Sequence, residues 1–165
     1  MDRETVKKWL RRYAGLKMEV EKHRARIARA ESNAQFPEMK MGDESKHQPG
    51  GKGHLEGATI RLMEIKDRLL PVIAANKAAM QQIEDAIDSL DDLFEREVLR
   101  MRYIDDFENE DTGCGILCRL TPWRNISIDL YGDDEEKHIQ AAHRLHKDAL
   151  DSIGKVIEKI EAEEK

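Results

Sequence analysis

Cysteine, aromatic rings and long apolar runs are all scarce in this chain, and each scarcity removes a class of protein. Two cysteines in 165 residues cannot make a disulfide framework, so a reducing, cytoplasmic setting is the default expectation. No apolar stretch approaches the roughly 20 residues that a membrane-spanning helix needs. The opening "MDRETVKKWLRRY" lacks the apolar block of a secretory signal. There is no Gly-rich phosphate cradle, no nucleophile elbow and no His-Glu metalloprotease helix, so neither enzymatic chemistry nor a cofactor is expected.

Aromatic residues make up 5% of the chain and charged residues 38%, thin material for one large core. That balance points to long amphipathic helices with wide solvated faces, and hence to an all-α protein. The net charge of −6 weighs mildly against non-specific nucleic-acid binding, but its distribution is uneven. Residues 1–31 hold ten Lys or Arg against five Asp or Glu, a net of +5. Residues 83–111 hold twelve acids against three bases, a net of −9. Such polarity suggests complementary pairing of these stretches with each other or with a partner.

Residues 2–31 read as one long helix. Val6, Trp9, Tyr13, Leu16, Val20, His23, Ile27 and Ala30 recur in steps of three and four, a heptad seam. The stretch 32–54 has two prolines, four glycines and no helical period, which predicts a loop. The rhythm resumes from about Leu55 to Ser89 through Leu62, Ile65, Leu69, Val72, Asn76, Ile83 and Ala86, with Pro71 expected to kink the helix. Residues 1–90 are thus expected to form an antiparallel coiled-coil hairpin that self-associates, so that the protein is a homo-oligomer, most simply a dimer.

The second region, 91–165, begins with "SLDDLFERE", which supplies helix-start chemistry near Asp91 or Asp92. Phe94, Val98, Met101 and Ile104 or Tyr103 then share a stripe. A polar insert, 105–121, follows. Thr121 reads as a cap and Pro122 as the first helical residue of a short helix carrying Trp123, Ile126 and Leu130. Gly132 reads as the stop. From Asp133 a long helix runs on, with Ile139, Ala142, His146, Ala149 or Leu150, Ile153, Val156 or Ile157, and Ile160 on its buried stripe. Short helix, glycine turn, long helix is the order of a helix-turn-helix, in which the last helix enters the major groove.

Three blocks in order, "EREVLRMRYID", "WRNISIDLYG" and "RLHKDAL", resemble region four of sigma factors. More closely they resemble phage and prophage transcriptional regulators of the ArpU/RinA type. Glu97, Val98, Leu99, Arg102, Tyr103 and Ile104 carry the first block. Trp123, Ile126, Leu130 and Gly132 carry the second, and Arg144, Leu145, His146, Ala149 and Leu150 the third. The resemblance implies an N-terminal helical hairpin followed by a sigma-region-four-like helix-turn-helix. It also implies promoter DNA and RNA polymerase as partners in a bacterial host's cytoplasm, and transcription regulation as the function. The insert between Tyr103 and Trp123 is longer than in such proteins.

Candidate DNA contacts are Arg124, Lys137, His138, Gln140, His143, Arg144 and Lys147. Arginine can hold guanine edges bidentately, glutamine can read adenine, and lysine can hold phosphate. The cluster Asp133 to Glu136 at the tip of the last helix repels phosphate, so docking further along the helix is expected. The competing expectation is a helical adaptor that uses the same surface for a protein. Cys114 and Cys118 with His143 and His146 have a spacing that zinc tolerates, but no metal is expected, since His146 lies on the buried stripe.

Overall fold

The computed structural model describes residues 1–35, 51–105 and 120–163, and among them every regular element is helical. The helices are α1 (Arg3–Gln35), α2 (Gly51–Asp88), α3 (Leu93–Tyr103), α4 (Trp123–Tyr131) and α5 (Glu136–Glu163). No helix among the described residues is long and apolar enough to cross a membrane. The chain divides into two compact units, one joining residues 1–18 to 78–165 and the other comprising 19–77. The boundary expected at residue 90 therefore falls inside the first unit, because the beginning of α1 and the end of α2 contribute to the core around α5.

That core shows why. Val6 and Leu10 of α1, Ile83 and Ile87 of α2, Val98 and Leu99 of α3, Ile126 of α4, and Leu150, Ile153 and Ile157 of α5 are all at most 2% exposed. Gly154 of α5 lies against Val6 of α1: a Cβ there would stand at a contact distance of 3.4 Å from Val6 Cγ2. Outside the apolar contact, the Arg3 guanidinium forks onto Asp151 with bonds of 2.7 and 2.5 Å, and the terminal amine of Met1 pairs with Glu158. The basic first helix meets the acidic stretch through Tyr13, whose hydroxyl donates to Glu84 at 2.5 Å.

The turns of this unit follow from cap chemistry. Asp92 accepts from the amides of Phe94 and Glu95 at 2.7 and 3.2 Å, starting α3 where expected. Arg100 forks onto Asp88, joining the end of α2 to α3. Two expectations are corrected here. Phe94 is 56% exposed, like Leu93 beside it, because the core covers α3 only from Val98 onward, through Leu99 and Tyr103. Thr121 is not the cap of α4. Pro122, with ψ 145°, stands at the cap position, and its carbonyl accepts from Asn125 and Ile126. The Thr121 hydroxyl instead donates to the Met101 carbonyl at 2.6 Å, satisfying one of the acceptors that the end of α3 leaves free. Gly132 ends α4 at φ +83°, its amide donating to Ile128 at 2.8 Å. Only glycine adopts that conformation without steric penalty.

In the 19–77 unit the two helices run antiparallel, since Glu19 accepts from Asn76 (2.9 Å) and Glu31 pairs with Lys66 (2.6 Å). Asn76 on the seam thus joins α1 to α2 by a side-chain hydrogen bond. Val20, Leu69 and Ile73 are buried, whereas Val72 is 39% exposed. From Leu69 the seam takes a step of four, which hands the buried position to Ile73. The helix α2 starts at Gly51, four residues before the expected start, and continues through Pro71, which is exposed. The helix α1 likewise continues to Gln35. Residues 36–50 of the expected loop, and 106–119 of the expected insert with Cys114 and Cys118, lie outside the described residues.

Candidate nucleic-acid interface

The acids of the turn set the electrostatics of the α4–α5 junction. Ser127, fully buried, donates to the Asp133 carbonyl at 2.8 Å and fixes the path of the turn. Asp133 then accepts from the Glu135 amide (3.0 Å) and meets His138 Nδ1 at 2.5 Å. These bonds, the His138 contact foremost, hold the Asp133 carboxyl below the usual range. Asp134 pairs with Arg124, Glu135 with Lys137 at 2.6 Å, and Glu136 accepts from Gln140 at 3.1 Å. Each member of the acidic cluster is therefore engaged by a polar side chain from α4 or from the first turn and a half of α5. Two of the four carboxylates thus face formal cations, Arg124 and Lys137, while Asp133 and Glu136 face a histidine and a glutamine, and exposed pairs of this kind add little stability.

The seven candidate contacts accordingly separate into groups. Arg124, Lys137, His138 and Gln140 face the turn acids, and His138 also stacks on Tyr131 with ring centroids 5.2 Å apart. His143 is half-buried, its ring 4.1 Å from that of Trp123. Burial, then the neighbouring Arg102 and Lys147, lower its pKa. Arg144 and Lys147 remain: both are exposed, and among the described residues neither forms an ion pair. The one bond of Arg144 is a long 3.4 Å contact to the Gln140 carbonyl of its own helix.

Beneath them lies a polar and aromatic cluster that sequence reasoning resolved only in part. Trp123 of α4 packs on α5, edge-on to His146 at 4.9 Å. His146, on the buried stripe, is 6% exposed and meets the Tyr103 hydroxyl at 3.0 Å. Burial raises the Tyr103 pKa, and it pushes that of His146 down to about 4, with Arg102 adding repulsion. Near neutrality the tyrosine is therefore protonated and the histidine neutral, and the two share a hydrogen bond whose direction is set by the imidazole tautomer. Arg102 lies 4.5 Å over the Trp123 ring and donates to the Thr121 carbonyl. Half-burial lowers its pKa. The "RY" pair at 102–103 was visible in the sequence, but only the fold shows that both residues brace α4 and α5.

Comparison with protein-family models, with curated proteins and with solved structures finds no match to this chain.

Proposed function

We propose that the chain is a DNA-binding transcriptional regulator of phage type, with α4, the Gly132 turn and α5 acting as a sigma-region-four-like helix-turn-helix. The observation that carries this reading is the outer face of α5. Arg144 and Lys147 stand exposed there with no ion pair among the described residues, while each carboxylate at the helix tip meets a neighbouring side chain. Docking then runs through the middle of α5, with Arg144 on a base edge and Lys147 on phosphate. The α1–α2 pair serves as a coiled-coil hairpin for self-association. The exposed Leu93–Phe94 step at the start of α3 suits a protein partner such as RNA polymerase.

A mobility-shift titration at several salt concentrations tests the reading. Affinity should fall with salt with a slope of about 0.9 per phosphate contacted, and Arg144→Ala should cost about 1–3 kcal/mol with relaxed sequence preference. The second reading, a helical adaptor without DNA, is favoured by that same exposed Leu93–Phe94 pair. Absence of duplex binding at roughly 50 mM salt would select it.

A further inference from the structure

The first turns of α1 hold cations that the reading above leaves unused. Lys8, Arg11 and Arg12 stand at i, i+3 and i+4, so they share one helix face, and all three are exposed. Two other bases of the same helix have close acidic partners: Arg3 has Asp151 and Lys7 has Glu4. Among the described residues, Lys8, Arg11 and Arg12 form no ion pair; Asp2 and Glu4, further up the helix, act on Lys8 and Arg11 only through space. Like charges at this spacing repel each other, and among the described residues no carboxylate forms an ion pair with any of the three.

The location of this face is set by packing. The beginning of α1 lies against α5, with Arg3 on Asp151 and Val6 against Gly154, in the same unit that carries Arg144 and Lys147. Arg11 is also close enough to the end of α3 to act electrostatically on Arg102 and Tyr103. A group of exposed cations with no ion pair among the described residues, on the unit that presents the candidate reading helix, matches a polyanion better than an apolar surface. The three residues span about 6 Å of helix rise, comparable with two steps of about 3.4 Å along one DNA strand.

We propose that Lys8, Arg11 and Arg12 form a second anion-binding surface that holds backbone phosphates of the duplex engaged by α5. This rests on the DNA-binding reading and adds to it a contact that positions without reading sequence. The test uses the full chain and mixed-sequence duplex DNA, comparing wild type, Lys8→Ala/Arg11→Ala/Arg12→Ala, Arg11→Lys/Arg12→Lys and Arg144→Ala across a salt series. The triple alanine variant should bind any duplex more weakly and lose about two to three from the salt slope, at about 0.9 per phosphate. The lysine variant should retain the wild-type slope, and unchanged helical circular dichroism should accompany both. If the wild type binds and Arg144→Ala weakens it, but the triple variant keeps the full slope, the second surface falls and the regulator reading stands. If the wild type does not bind duplex DNA, both fall, and an acidic protein becomes the partner for this face.

Discussion

Among the described residues, Val20, Leu69 and Ile73 are the buried apolar side chains of the 19–77 helix pair, whereas the other unit encloses a continuous core drawn from all five helices. The heptad rhythm runs through both settings, but α1 carries more large apolar side chains before residue 19 (Val6, Trp9, Leu10, Tyr13, Leu16 and Met18) than after it (Val20 and Ile27), and the number of neighbours changes as well. A lone pair of helices covers one stripe and leaves Ile60, Met63 and Leu70 more than half exposed. Where three more helices join them, the same heptad rhythm becomes a closed interior. The seam thus specifies which residues meet, and the surrounding helices determine how much that meeting stabilises.

The largest expected effect that would sharpen this contrast is in the core. Leu150→Ala should cost about 3–5 kcal/mol by denaturant titration, and Leu69→Ala only about 2 kcal/mol, because the sparsely covered pair can relax around the gap. Equal losses would erase the distinction. Amide exchange should show the same order, with protection weaker in 19–77 than around α5. Acid should come next, acting through a buried histidine of the α5 unit. The folded-state pKa of His146 is depressed to about 4 from 6.5, so the unfolded chain binds the proton more readily. Stability should be full above the unfolded value, decline as pH falls below about 6.5, and level off near 4, with a total loss on the order of 3 kcal/mol. His146→Gln should flatten that dependence, read from unfolding at several pH values. Smaller still, Gly132→Ala should cost about 1 kcal/mol from the positive φ alone, since a Cβ there meets nothing within 4 Å. Asp92→Ala should cost about 1 kcal/mol through loss of the α3 cap. Either value near zero, by thermal unfolding, would remove the local device it tests.

Much of this architecture was legible in the sequence wherever periodicity and caps act locally. The stripe of α5 from Ala142 to Ile157, the Asp92 start of α3 and the Gly132 stop appear where the residues place them. Errors arose where tertiary context intervened. Phe94 keeps helical spacing with Val98 but stands beyond the covered part of α3. Thr121 has a capping side chain, yet the end of α3 offers its hydroxyl a carbonyl nearby. The pairing at the acidic tip of α5 was hidden as well, since no sequence pattern reveals that Arg124, on the preceding helix, would reach across the turn to Asp134. The allotment of residues 1–18 to the C-terminal core was equally hidden, because a heptad seam does not announce where one set of neighbours gives way to another.

That allotment has a consequence for how the chain is made. Val6 and Leu10, both with no exposed surface, belong to an interior completed by Leu150, Ile153 and Ile157. Synthesis delivers the earliest of these side chains long before the latest, so the interior stays open until α5 has been made. Trimming the opening eighteen residues would therefore remove one wall of the core, and the shortened product should expose α5 to solvent and aggregate.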